Sequence, residues 1–185
     1  QGGVSRVVLD PDALRKALAG DPADAPPVLH ANAALMHTEL NCAGGAVDAR
    51  TWVSCEESDR VGHGWAYRVQ IDDEAAADNA ERRLLTWGRF RREAVALAPK
   101  TGVAVMTEDH HQGLLYRHIP DSPDAPFGTG RLEALAIEGL RHTDPGPEAK
   151  PWPVGSHWSV HWVPIAEADA SKQPCRVQGA SLGAT

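Results

Sequence analysis

The sequence predicts an all-β fold, and its clearest evidence is a run of three short strand-like segments. These segments cover residues 93–98, 103–107 and 114–119, and tight turns at 99–102 and 110–113 join them. Strands joined in this way form a β-meander, the unit from which the blades of a β-propeller are built. We therefore expect a β-propeller, or part of one, made of meander blades.

Two further segments support the same fold class. Residues 51–54 and 65–71 alternate large and polar side chains with a period of two, which is typical of half-buried strands. Additional strands are predicted at 5–10, 28–31, 131–137 and 157–165.

One or two short helical insertions are expected between the strands. Residues 11–18 have a helical pattern that begins with Pro11 and is stopped by Gly20. Residues 72–85 are rich in alanine and glutamate and predict a second helix. Residues 142–155 are rich in proline, glycine and charge and predict a long surface loop.

Composition favours a single domain and excludes some classes of function. The 185 residues, 1–185, show no change of composition that would mark a domain boundary. The formal net charge is −7 with scattered basic residues, which argues against nucleic-acid binding. No apolar run is long enough to span a membrane. Three cysteines, Cys42, Cys55 and Cys175, are too few for a disulfide framework, although Cys42 and Cys55 could pair in an oxidising compartment.

Cysteine and acidic residues at strand ends suggest a metal site. Cys55, Glu56 and Glu57 follow one another at the end of the strand at 51–54. A thiolate binds soft or borderline metal ions, whereas carboxylates bind calcium and ferric iron. The alternative is a buried cysteine beside a solvated acidic turn. Glu108 and Asp109 likewise end a strand, and they could converge on the same cation or be ordinary surface acids.

The remaining polar groups give weaker signals. Glu93 follows Arg91 and Arg92, so a surface ion pair is its ordinary explanation. The histidines, including His157 and His161, do not have the spacing of a helix-borne zinc site. The sequence contains no nucleophile elbow, phosphate loop or dinucleotide fingerprint.

Several of these segments together resemble one family, the PhoX-type alkaline phosphatases. The resemblance runs from about residue 4 to residue 185, and its most specific part is the Cys-Glu-Glu element. It is carried, in order, by segments 41–45, 51–57, 88–96, 107–109 and 115–117. It implies a β-propeller that hydrolyses phosphate esters at a cluster of Fe³⁺ and Ca²⁺ ions. It also implies export by the twin-arginine route to the periplasm or the extracellular space, although no signal peptide opens this chain.

The resemblance also implies site residues. Cys55 corresponds to the iron-binding cysteine, and Glu56, Glu93, Glu108 and Asp109 correspond to carboxylates in or next to the iron–calcium cluster. No residue is assigned as catalytic.

The chain departs from the family pattern in ways that keep two functions open. Residues 47–50 replace the usual Pro-Trp-Gly turn, Arg92 replaces a histidine, and the amino- and carboxy-terminal family motifs are absent. The chain therefore resembles the middle of a longer propeller. It is either the central part of a metal-dependent phosphoesterase or a non-catalytic β-scaffold with an incomplete site. We expect the isolated chain to lack turnover and to associate with itself or another chain to complete its sheet.

Overall fold

A computed structural model describes residues 2–21, 26–74, 79–139, 153–166, 168, 175–176, 179 and 184. Within these residues the chain forms ten strands, one α-helix and two short 3₁₀ turns. The strands are β1 (Gly2–Leu9), β2 (Val28–Thr38), β3 (Asn41–Ala46), β4 (Thr51–Glu56), β5 (Ala66–Gln70), β6 (Arg92–Leu97), β7 (Ala104–Glu108), β8 (Leu115–Pro120), β9 (Gly130–Ile137) and β10 (Val160–Pro164). The helix is α1 (Pro11–Ala19), and the 3₁₀ turns are Ala80–Arg82 and Leu85–Trp87.

The strands form two antiparallel meanders within one large sheet. Its eight strands lie in the order β10-β9-β8-β7-β6-β3-β4-β5, while β1 and β2 pair separately. The meander predicted at residues 93–119 is confirmed as β6, β7 and β8, and β9 extends it to four antiparallel strands. The second meander is β3-β4-β5. The all-β prediction is therefore confirmed.

The two meanders meet at one parallel junction, which we call the seam. Strands β3 and β6 run parallel and pair at Gly44 and Ala94. Repetition of one blade topology makes the first strands of successive blades parallel, so the seam is consistent with two neighbouring propeller blades. The described sheet does not close on itself, since β10 and β5 lie at its two edges.

The main core lies mostly against the meander that begins with β6, and it also includes residues of β4 and β5. Its largest side chains are almost completely buried, and they are Trp87, Phe90, Met106, Tyr116, Leu132 and Val53. The Phe90 and Tyr116 rings stack with centroids 4.0 Å apart. A smaller cluster of Ala34, Leu35, Trp65, Tyr67 and Val69 joins β2 to β5. Burial of these apolar surfaces is the main contribution that holds the meanders together.

Helix α1 begins and ends where the sequence predicts. The Asp10 carboxylate accepts hydrogen bonds from the backbone nitrogens of Asp12 (2.8 Å) and Ala13 (3.0 Å), which caps the first turn. Gly20 ends the helix in the left-handed conformation, with φ of 77°. The described part of the helix buries no side chain.

The predicted helix at residues 72–85 is wrong for the part of this segment that the structure describes. Residue 72 lies in a turn and residues 73–74 have no regular secondary structure, and after the undescribed residues 75–78 the chain forms 3₁₀ turns and an isolated β-bridge. Arg83 forms a β-bridge with Tyr67, and the Leu84 nitrogen donates to the Ala66 carbonyl oxygen at 2.9 Å. Backbone pairing with β5 has therefore overridden local helix propensity.

Other strand boundaries also differ from the prediction. The segment predicted at 28–31 continues as β2 to Thr38, and β3 occupies residues 41–46, where no strand is predicted from the sequence. The loop predicted at 142–155 lies outside the described residues, apart from 153–155. No helix in the described part of the chain has the length and apolarity needed to cross a membrane.

The seam depends on glycine, and this gives a first prediction. Gly44 has φ of 61°, and a Cβ at this position would overlap the Val53 carbonyl oxygen. Gly20 also has a positive φ, but it has open space around it. We expect Gly44→Ala to lower the free energy of unfolding by about 2 kcal/mol more than Gly20→Ala, because both strain the backbone but only one adds an overlap. Urea unfolding of the two variants checks this, and equal losses would contradict it.

Candidate metal centre

The topology of the sheet brings three chain segments to one edge. Strand β3 is antiparallel to β4, so the start of β3 lies beside the end of β4, with Cys42 opposite Cys55. Because β3 is parallel to β6, the starts of these two strands also lie at the same edge. Cys42 near the start of β3, Glu57 after β4 and Glu93 near the start of β6 therefore meet at the seam.

These three residues form a compact group of potential metal ligands, which we call the Cys42 cluster. One ligand atom from each of Cys42, Glu57 and Glu93 lies within 4.8 Å of the others. The Cys42 Sγ is 3.3 Å from the Glu93 Oε1. All three side chains are half-buried, so they are shielded but remain accessible. A thiol and two carboxylates at this spacing can share one cation.

The carboxylates of the cluster carry negative charge, which a bound cation would neutralise. A backbone hydrogen bond from Ala43 lowers the pKa of the Cys42 thiol, but hydrogen bonding to Glu93 and burial outweigh it, and the pKa is raised. A bound cation would reverse this balance, because metal coordination favours the thiolate. Ion pairing with Arg91 lowers the pKa of Glu57, so this carboxylate is ionised.

Arg91 and Asp109 form the outer border of the cluster. The Arg91 guanidinium pairs with Glu57, and its Nη2 lies 3.7 Å from the Asp109 Oδ2. The Asp109 nitrogen donates to the Arg91 carbonyl oxygen at 2.9 Å, which fixes the turn after β7. Asp109 thus lies beside the cluster, although its carboxylate is not among the three converging groups.

Cys55 lies directly opposite Cys42 on the paired strand, but its side chain is in the apolar core. It is fully buried among the core side chains, two residues after the buried Val53 on β4. Burial raises the pKa of its thiol to about 12, and the nearby Arg92 guanidinium only partly offsets this. Cys55 remains a prediction as an iron ligand, but the structure brings Cys42 rather than Cys55 to the carboxylates.

Glu56 is also separated from the cluster, because it anchors the turn that follows β4. Its Oε2 accepts from the backbone nitrogens of Gly64 (2.9 Å) and Trp65 (3.0 Å). Its Oε1 accepts from the Glu39 nitrogen at 2.9 Å and lies 3.0 Å from the His63 Nδ1. The carboxylate is completely buried, and these four contacts occupy both of its oxygens.

Glu108 points into the protein instead of toward the cluster. Its Oε2 accepts from the Leu114 nitrogen (3.0 Å) and the Tyr116 hydroxyl (3.1 Å), and its Oε1 lies 3.4 Å from the Arg176 Nε. Burial raises the pKa of Glu108 to about 7, against the opposing effects of these partners. Of the five predicted ligands, only Glu93 belongs to the Cys42 cluster.

Sequence reasoning missed Cys42 as a ligand, and it noted Glu57 in the Cys-Glu-Glu run without assigning it to the metal cluster. One signal could have turned attention from Cys55 to Cys42. In β4 Trp52 is exposed and Val53 is buried, and this alternation places Cys55 on the core face. The second signal was the pairing of β3 with β4, which was hidden because Gly44 and Gly45 do not favour a strand.

Comparison with known proteins agrees with this architecture. The family model for alkaline phosphatase PhoX matches residues 16–185, and the chain therefore belongs to the PhoX family. Among solved structures it is similar to Pseudomonas fluorescens PhoX in complex with vanadate, a transition state analogue, with a TM-score of 0.53 and 17% sequence identity. The match covers 100% of this chain and 41% of that one, and at this identity it supports the fold alone. No curated protein sequence matches the chain significantly.

Proposed function

We propose that the chain contributes part of a metal-dependent phosphoesterase site, with Cys42, Glu57 and Glu93 as metal ligands. The convergence of a thiol and two carboxylates at the seam carries this proposal. Membership of the PhoX family supports the reaction class, the hydrolysis of phosphate esters. Because the chain spans 41% of the similar structure, the complete site would need groups that lie in the rest of that fold.

The donor set fits the ions that the family resemblance implies. A thiolate with carboxylates is a suitable ligand set for Fe³⁺, and carboxylates alone suit Ca²⁺. Bound metal would supply positive charge to polarise the phosphoryl group. The protein's own residues would set the geometry: Arg91 holds the Glu57 carboxylate, and the seam fixes the separation of Cys42 and Glu93.

Serine variants of Cys42 and Cys55, which lie opposite each other on β3 and β4, test the ligand assignment. We expect Cys42→Ser to lower iron affinity by at least about a hundredfold, because even outer-shell changes at metal sites cost ten- to a hundredfold. We expect Cys55→Ser to retain iron and lose stability, because it places a hydroxyl in the apolar core. Metal analysis and thermal unfolding of both variants separate these effects.

Two results would contradict the ligand assignment. Loss of iron in Cys55→Ser with retention in Cys42→Ser would return the ligand role to Cys55. Negligible iron and calcium in the unaltered protein would favour the non-catalytic scaffold. Turnover of a chromogenic phosphomonoester by the isolated chain would show that the described ligands suffice for catalysis.

We also propose that this chain works outside the cytoplasm and in an assembled form. Family resemblance supports a periplasmic or extracellular location. The two edge strands of the open sheet, β5 and β10, support association with a second copy or another chain. Light scattering of the purified chain tests this, because a monomer at all concentrations would exclude self-association.

A further inference from the structure

A polar cavity of about 200 Å³ lies beside β5, on a part of the fold that the Cys42 cluster does not use. Most of its lining side chains can donate hydrogen bonds. The lining residues are His37, Gly62, His63, Tyr67, Asn79, Ala80 and Arg83. The cavity and the cluster have no residue in common.

Arg83 provides positive charge at the cavity wall. Its guanidinium carbon lies 5.3 Å from the centroid of the Trp65 ring, and its backbone is held by the bridge to Tyr67. Within the described residues no carboxylate forms an ion pair with Arg83, and its Nε has no hydrogen-bond partner. The adjacent Arg82, by contrast, lies 3.6 Å from the Asp73 carboxylate.

The other polar groups around the cavity are also hydrogen-bond donors, although Asn79 already donates to the Met36 carbonyl oxygen. Burial raises the pKa of Tyr67, so its hydroxyl keeps its proton and acts as a donor. The His63 Nδ1 lies 3.0 Å from the Glu56 Oε1, which favours a proton on this nitrogen and orients the ring. His37 lies near the end of β2, and its backbone is in the left-handed region with φ of 61°.

We propose that this cavity binds a small oxyanion, of the phosphate or carboxylate class. An unpaired guanidinium beside a phenol and two imidazoles offers many donors and positive charge, which an anionic acceptor would satisfy. The carboxylates of Glu56 and Glu39 lie beside His63, so Arg83 is the cavity group whose positive charge has no carboxylate partner among the described residues. The volume limits the ligand to a small molecule or to one anionic group of a larger one. The proposal does not depend on the proposed metal site.

Calorimetric titration of the chelator-treated protein with inorganic phosphate and with acetate tests the proposal. We expect saturable binding of one anion per chain, weakened at least tenfold in Arg83→Met, because a charge-assisted hydrogen bond contributes about 1.5–3 kcal/mol. Tighter binding of phosphate assigns the site to the phosphate class, and tighter binding of acetate assigns it to carboxylates.

Arg68→Met is the matched control. Arg68 also places its guanidinium over an aromatic ring, 5.7 Å from the centroid of Phe127, but it does not line the cavity. We expect this variant to bind the anion as the unaltered protein does. Equal weakening in both arginine variants would indicate a nonspecific loss of charge and would overturn the proposal.

A second variant covers the case in which Arg83→Met does not fold. His37→Asn removes the imidazole but keeps a residue type that tolerates the left-handed backbone. We expect it to fold and to weaken anion binding severalfold. Absence of saturable binding to the unaltered protein at millimolar anion would overturn the proposal. Loss of binding in Cys42→Ser would also overturn it, because the anion would then belong to the cluster.

Discussion

Replacing Glu56 with alanine is expected to lower the free energy of unfolding by about 4 kcal/mol. The substitution would leave the buried backbone donors of Gly64 and Trp65 without an acceptor, and the Glu39 nitrogen would lose its partner as well. Such a loss is a large fraction of the stability of a typical domain. Chemical denaturation of the purified variant measures it directly.

Glu39→Ala is the control for this effect. The Glu39 carboxylate lies in the same turn, where it accepts from the Ser58 hydroxyl at 2.8 Å and pairs with Arg60, but Arg60 is exposed. We expect a distinctly smaller loss of stability than for Glu56→Ala. If Glu56→Ala lost metal and kept its stability, the ligand role predicted from the sequence would be right and the anchoring role wrong.

The second large effect is a pH dependence at His118. This side chain is fully buried beside Trp87, with ring centroids 5.7 Å apart, and neither ring nitrogen has a hydrogen-bond partner among the described residues. Burial lowers its pKa from 6.5 to about 4. Between these values the unfolded chain binds more protons than the folded one, so stability falls as pH is lowered from 6.5 to 4, by up to about 3 kcal/mol.

Glu108 acts in the opposite direction over part of this range. Its pKa is raised from 4.5 to about 7, so its contribution to stability falls as pH rises between these values. The pH profile of the unaltered protein is therefore a sum of opposing effects. Comparing it with His118→Leu at each pH isolates the histidine. We expect the stability difference between the two proteins to change between pH 7 and pH 4.5, and a constant difference would contradict the lowered pKa.

The comparison of sequence with structure shows which features local patterns encode. The meander β6-β7-β8 was predictable because its strands alternate and its turns contain Pro99, Gly102 and Gly113. Strand β3 was not predictable in this way, because Gly44 is required by the close approach of the neighbouring β4 and Gly45 by that of β6, which is distant in the sequence. The helix expected at 72–85 failed for the same reason, since its backbone pairs with β5.

The candidate site shows the same limit more sharply. The sequence placed cysteine and carboxylates in adjacent positions, and it correctly directed attention to the end of β4. Strand register places Cys42 directly opposite Cys55, so which thiol meets the carboxylates depends on packing: Cys42 is half-buried beside them, whereas Cys55 is fully buried in the core. Glu56 is the last residue of β4 and Glu57 follows it, and their identical carboxylates have different surroundings: Glu56 is fully buried, whereas Glu57 is half-buried beside Arg91.

The geometry of the Cys42 cluster depends on the relative position of the two meanders, because the cluster lies at the seam. Cys42 and Glu57 belong to the meander β3-β4-β5, whereas Glu93 belongs to the meander that begins with β6. One parallel pair, Gly44 and Ala94, joins them in register. A shift of one meander against the other would therefore change the Cys42–Glu93 separation while leaving Cys42 and Glu57 together. Spectroscopy of a metal in this cluster would then record movement between blades, and a metal held by all three residues would act as a cross-link between them.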